Sequence, residues 1–335
     1  MQIRKPAYYD LFRCLAGACP DSCCKEWEVD IDPDTAQLYR SLQGPLGERL
    51  RQVLRTEDGV ACMTIENGRC PMWRPDGLCR IQAELGHDAL SQTCRDYPRL
   101  RHDYGDFVEL GLELSCPEAA RLIFSEDHTL LQQEMLGGDA PEYDAEAMEI
   151  LLRSRTAVMG FLDQDGLINE KLAALLLYAH GVQEELDGGD LAEEDWNACL
   201  DEARRYSKPA DAAAFLDFFR GLEILTDRWR ERLKAPKARS WDPALVHLAQ
   251  YGIWRYWLQA VSDYDLIGRV KLIIIGCVLV HLLGDDTCAT AQLFSKEIEN
   301  APDNVDAILD GAYTAPAFTD MQLLGLLLGE NDEKS

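Results

Sequence analysis

The 335-residue sequence holds twelve cysteines but no Cys-x2-Cys pair. The usual knuckle of a structural zinc site is therefore missing, as are the cysteine runs of bacterial and plant-type ferredoxins. There is no Gly-x-Gly-x-Gly loop and no strand–helix alternation, so a doubly wound nucleotide-binding sheet is not expected. The longest apolar run, Leu272–Leu283, falls short of the roughly 20 residues that span a bilayer. It is expected as a buried helix, with peripheral membrane association as the alternative. The N-terminus, MQIRKPAYYDLF, lacks the apolar core of a secretory leader, which points to the cytoplasm. Positive charge is scarce: 33 Lys and Arg stand against 59 Asp and Glu, a net charge of −26. Such a surface repels phosphate, and no nucleic-acid partner is expected. Residues 1–125 carry 15 of the basic and 20 of the acidic residues, so most of the deficit lies beyond them.

What the N-terminal third does have is cysteine. Nine of the twelve fall at 14, 19, 23, 24, 62, 70, 79, 94 and 116. A reducing compartment does not sustain a disulfide framework, and core thiols normally occur singly. Thiolates converging on a soft or borderline metal account for the density better. Spacing does not name the metal. The first group reads Cys14-x4-Cys19-x3-Cys23-Cys24. A Cys-x3-Cys-x2-Cys arrangement starting at Cys19 needs a cysteine at position 26, where Glu26 stands. Iron–sulfur and zinc both stay open. Cys199, Cys277 and Cys288 lie in apolar helical stretches and read as core residues.

Hydrophobic residues make up 47% of the chain, enough for a folded core throughout. Residues 26–31 and 107–114 alternate and read as strands. Asp32-Pro33-Asp34-Thr35 opens a helix running through Leu38 and Leu42 and, past Gly44-Pro45, to Leu50 and Leu54. Cys116-Pro117 opens another. A linker is expected around Gly137–Pro141. Beyond it, apolar residues at three- and four-residue spacing predict helices over 148–162, 167–186, 192–206, 210–233, 242–262, 266–283, 289–300 and 305–328. The expected fold is mostly α. A Cys-rich lobe of short helices with a small antiparallel sheet (1–136) packs on a helical bundle (142–335). Tyr251, Trp254, Tyr256 and Trp257 read as core. His87 and His102, near the cysteines, are either ligands or ordinary loop residues.

Three segments together resemble the flagellin lysine-N-methylase family: PAYYDLFRCLAGACPDSCCKEWEVDID, RCPMWRPDGLCRIQAELGHDALSQTCRDYPR and LELSCPEAARLIF. That family is related to proteins with a cysteine-rich zinc- or iron-chelating domain. The resemblance covers about residues 6–124. It implies an enzyme that methylates flagellin lysines from S-adenosylmethionine, with a [4Fe-4S] cluster on the cysteine motif. The motif cysteines fall on Cys14, Cys19, Cys23, Cys24, Cys70, Cys79, Cys94 and Cys116; Cys62 lies outside. Cys19, Cys23, Cys79 and Cys94 are the first choice for ligands, since the vicinal Cys23-Cys24 pair would strain to serve one cluster. Glu26, Trp27, Tyr97 and Glu118 adjoin the cysteines as candidates for handling the amine or the cationic donor, or are structural. The alternative function is a metal-chelating or redox-sensing module without methyl transfer.

Overall fold

Asp32 decides where the first α-helix begins. Its carboxylate accepts from the Thr35 N–H at 3.0 Å, and Pro33 fills the first turn of α1 (Pro33–Ser41), where a missing N–H costs nothing. Its other oxygen accepts from the Gln92 N–H at 2.8 Å, tying α1 to a segment 60 residues on. This is a computed structural model, and it describes residues 1–25, 29–57, 59–125, 128–134, 137, 140–141, 143–236, 240–284 and 286–329.

The pattern that reads as one helix from 33 to 54 is two. Gly44 takes φ +81°, outside the right-handed helical region, and α2 (Gly44–Val53) starts afresh there. β2 (Val29–Ile31), β3 (Leu54–Glu57) and β4 (Val60–Met63) form an antiparallel sheet in the order β2-β4-β3. The expected strand over 26–31 is thus seen from Val29 onward. The sheet, α1 and α2 enclose a small core that includes Ile31, Tyr39, Leu50 and Met72. α3 (Arg80–Leu85) and α4 (Gln92–Asp96) flank it.

A second sheet, ordered β5-β6-β1-β7, is built from β1 (Gln2–Pro6), β5 (Arg99–Asp103), β6 (Phe107–Leu112) and β7 (Leu130–Glu134). β1 and β6 run parallel, with Ile3 opposite Val108, and the other pairs are antiparallel. α5 (Pro117–Ser125) follows β6.

The rest is helical: α6 (Ala145–Leu162), α7 (Ile168–Leu186), α8 (Trp196–Tyr206), α9 (Ala212–Arg220), α10 (Asp227–Lys234), α11 (Leu245–Tyr256), α12 (Leu266–Leu283), α13 (Thr287–Phe294), α14 (Pro302–Thr314) and α15 (Asp320–Leu328). Residues 210–233 form two helices rather than one, because Thr226 caps α10 by accepting from the Trp229 N–H at 3.1 Å. The stretch 305–328 divides at Pro316. Residues 289–300 hold α13 and then one π-helical turn, Ser295–Glu299. α12 has the length and apolarity of a membrane span, but 89% of it is buried within the protein. Tyr251 and Trp257 are buried core, as their spacing implies.

The larger core draws on both sides of the linker. Tyr8, Phe107, Leu114, Ala119 and Ile123 pack with side chains of α6, α7, α11 and α12. One buried ion pair sets the seam. Arg155 on α6, 6% exposed, donates to both oxygens of Glu109 on β6, 1% exposed, at 2.8 and 2.6 Å. Trp254 covers the guanidinium at 4.6 Å and donates to the Leu110 carbonyl at 3.1 Å. Removing one partner strands a buried charge, so Glu109→Ala should cost about 3–5 kcal/mol, while replacing both partners by apolar residues should cost clearly less. Urea unfolding of the single and double variants reads the difference.

A second ionic group gives the fold an acid limit. Asp320 sits between His180 and Lys271, each at 2.8 Å. Burial works to raise its carboxyl, but hydrogen bonds from His180 and Lys271, with the lysine's charge, outweigh it and hold the group at about 2. A depressed acid stabilises above its ordinary range and loses that contribution as pH falls through the folded value. Asp320→Asn should therefore be less stable than the parent at pH 6 and converge with it as pH drops from about 4 toward 2, measured as Tm against pH.

Candidate functional site

Three chain segments bring their cysteines together, each by a different local device. The first, Cys14 to Cys24, is a loop of turns. Gly17 lets it lie against the 74–78 turn: a Cβ there would sit 3.1 Å from the Asp76 carbonyl oxygen. The Ala16 N–H points at the Cys14 Sγ at 3.4 Å. In the second segment the Cys70 N–H donates to the Cys24 carbonyl at 2.8 Å, joining it to the first. Cys79 stands at the N-terminus of α3. Cys94 lies in the first turn of α4, its N–H held by Ser91 Oγ at 3.3 Å. In the third, Cys116 precedes Pro117, and its carbonyl accepts the Ala120 N–H at 2.8 Å as α5 begins. Helix starts leave N–H groups available to sulfur.

These cysteines line two adjoining hollows. The larger is an open cavity of about 650 Å³, faced by Cys14, Cys19 and Cys116 and by Cys23, Cys24, Cys79 and Cys94. The smaller, about 90 Å³, is walled by Cys70 with the same Cys23, Cys24, Cys79 and Cys94, and by Val29, Ile31, Tyr39, Met63 and Met72. All eight motif cysteines therefore face the pair of hollows. Cys62, on β4, lines neither. Among the described residues, no three His, Cys, Asp or Glu side chains converge closely enough for a single metal ion. The sulfurs ring a space instead of meeting at a point. Burial pushes the Cys70 and Cys116 thiols up to about 12, and it raises Cys19 as well. Such thiols keep their protons near neutrality, and a metal has to displace them.

Tyr97 faces both hollows. Its Oη lies 3.2 Å from Ser115 Oγ, which donates to Glu113 Oε2 at 3.4 Å. Burial raises both the Tyr97 phenol and the Glu113 carboxyl, with Arg255 opposing the rise at Glu113. Behind them Arg255 donates to the Tyr251 hydroxyl at 2.6 Å, and Tyr251 and Tyr256 donate to Glu299 at 2.9 and 2.6 Å. Glu118 lines the larger cavity with its carboxylate in a bidentate pair with Arg121, at 2.9 and 2.8 Å, which lowers its titration range. Glu26 and Trp27 lie outside the described residues. His87 lines the larger cavity; His102 faces neither hollow.

No family model and no solved structure matches the chain. The lysine-N-methylases of Salmonella typhimurium and Salmonella choleraesuis are each 32% identical over 139 residues, 39% of this chain and 35% of each relative. The chain thus spans about a third of those proteins. The flagellar biosynthetic protein FliU of Salmonella muenchen is 33% identical over 131 residues, which is 37% of this chain and 78% of that protein. The chain belongs to the flagellin lysine-N-methylase family.

In this member of the flagellin lysine-N-methylase family the cavity has a wall that sequence reasoning missed. Lys296, on the π-helical turn and nearly buried, reaches the Asp21 carboxylate at 2.9 Å and faces the larger cavity with Asn300. No local signal joins positions 275 residues apart. The ion pair fastens the first cysteine loop to the bundle. Lys296→Met should lower stability by roughly 1–2 kcal/mol and speed tryptic cleavage at Arg13 and Lys25, with far-ultraviolet circular dichroism unchanged.

Proposed function

We propose that the protein transfers methyl groups from S-adenosylmethionine to lysine side chains of flagellin, at a cavity whose cysteines hold an iron–sulfur cluster. The observation that carries this reading is the gathering of eight motif cysteines around two adjoining hollows, the larger open to solvent, in a chain of this family. The donor set suits the cofactor: thiolates favour soft and borderline metals. A ring of sulfurs around a space suits a polynuclear cluster better than one tetrahedral zinc ion, which needs four donors at bonding distance. Of the ligands, Cys19, Cys23, Cys79 and Cys94 face the larger cavity, and the remaining four are candidates for the same role. When bound, a cluster supplies an iron that accepts electrons or a ligand's lone pair.

The chain's own residues supply the rest. A lysine amine attacks only when neutral, although its ordinary pKa is about 10.4. Leu15, Leu78 and Leu90 line the cavity and lower the polarity around an entering side chain, which favours the neutral amine. Glu118, fixed by Arg121, offers a carboxylate to a cationic ligand such as a sulfonium. Tyr97 and Ser115 present hydroxyls that orient polar groups. A requirement for reduced thiols suits the cytoplasm.

A metal-holding or redox-sensing module without methyl transfer is the second reading. It is favoured by the chain's spanning only 35% of the two lysine-N-methylases. Anaerobic purification followed by a labelled-donor assay decides. The expected outcome is a brown protein with broad absorbance around 400 nm that transfers label to purified flagellin. Zinc without iron would replace the cluster by a structural ion. A cluster-replete protein that transfers no label would leave the module.

A further inference from the structure

The larger cavity has the opposite sign to the protein around it. The chain carries a net charge of −26, yet the charged residues lining the cavity are Arg13, Arg95, Arg99 and Lys296 against Asp21 and Glu118. Both carboxylates are already engaged, Asp21 by Lys296 and Glu118 by Arg121. The three arginines are different. Arg13 donates to the main-chain carbonyls of Asp10 and Phe12, at 2.9 and 2.6 Å, while Lys5 holds the Asp10 carboxylate. Arg95 donates to the Asp88 carbonyl at 3.4 Å. Arg99 lies over the Phe12 ring, 5.1 Å from its centre. Among the described residues, none of the three is paired with a carboxylate. Nearby arginines are: Arg74 meets Asp76, Arg80 meets Glu84 and Arg101 meets Asp103. Arg13 and Arg99 are exposed, and Leu15 and Leu78 of the same lining are exposed with them.

We propose that Arg13, Arg95 and Arg99 form a carboxylate-recognising rim, which docks the substrate protein through Asp or Glu residues that neighbour its target lysine. The inference rests on the proposed lysine methylation and names the kind of lysine selected. A guanidinium is a planar fork of donors that matches a carboxylate. An acidic segment is repelled wherever this protein's surface follows its net charge and attracted at the rim, so the field guides it to one place. The amine gains as well. Acidic neighbours keep a lysine protonated in its own protein. Once those neighbours pair with the arginines, their hold on the proton is cancelled. The amine then enters a hollow with leucines on its wall and positive charge at its mouth, and both favour the neutral form that attacks.

Binding tests the rim apart from catalysis. Short fluorescent peptides carry one lysine flanked by Asp and Glu, by Asn and Gln, or by Arg. Each is titrated with the anaerobically prepared full-length chain, without methyl donor, and followed by anisotropy. The acidic peptide should bind most tightly, against the sign of the whole protein, and should weaken as salt screens the pairs. This series needs no variant. Equal affinity for the acidic and neutral peptides, or tighter binding of the basic one, overturns the rim. Arg13→Gln, Arg95→Gln and Arg99→Gln should each weaken the acidic peptide about two- to fivefold, the range of an exposed ion pair, and the triple variant should weaken it further. Arg13→Lys, Arg95→Lys and Arg99→Lys should recover part of the loss. Two results would give the arginines another duty and sink the proposal. One is unchanged peptide affinity with a higher S-adenosylmethionine requirement, which assigns them to the donor's carboxylate. The other is iron lost in step with affinity, which assigns them to the charge of the sulfurs. Acidic peptides bound as expected by a protein that methylates nothing would uphold the rim and overturn only the methyl transfer. Methyl transfer indifferent to flanking charge would overturn only the rim.

Discussion

Eight thiols share a small volume only if the segment from Cys14 to Cys24, which has almost no regular structure, is held in one place. Ordering such a loop costs roughly 1–2 kcal/mol of conformational entropy per residue. Three contacts offset part of that cost. The Cys24 carbonyl is bonded to Cys70, Gly17 lies flat on the 74–78 turn, and Asp21 is paired with Lys296. Two of these contacts lead to the second cysteine segment and one to the distant bundle. A metal would supply the remainder of the ordering free energy, since its binding is linked to the fold of its ligands.

The elements legible in the sequence are those fixed by neighbours. The start of α1 at Asp32-Pro33, the start of α5 at Cys116-Pro117, the strand from Phe107 and the span of α12 from Leu266 to Leu283 all follow from capping, alternation or apolar length. Where an apolar pattern continued through a break, the pattern misled. The stretches 33–54 and 210–233 keep helical spacing while Gly44 and the Thr226 cap divide the backbone. Cysteine density drew attention to this region, because thiols this crowded are the pattern expected of a shared metal. Asp21, Ser115, Lys296 and the row leading to Glu113 and Arg255 gave no such signal. Each is an ordinary polar residue whose meaning comes from what lies across the fold. Spacing alone did not reveal which cysteines face which hollow either, because Cys70 and Cys79 close one loop yet only Cys79 reaches both spaces.

The Glu109–Arg155 pair works on a larger scale. Two charges taken out of water are a poor source of net stability, but they penalise any arrangement in which they do not meet. Placed on β6 and α6, with Trp254 closing over them, they fix the second sheet against the bundle in one register. Cys116 lies a few residues beyond β6, so the position of its sulfur inherits that register.

The larger core does not respect the linker, and α5 shows why this matters. Its first residue follows Cys116, while Ala119, Ala120 and Ile123 along it are buried among bundle side chains. The cysteine-rich portion is therefore not a portable cassette. Grafted elsewhere or severed near residue 136, it would carry an uncovered apolar helix and would lose Lys296 and Asn300 from its cavity. The cysteine-lined cavity and the helical scaffold in this chain are one heritable unit, and neither can be exchanged without rebuilding the other.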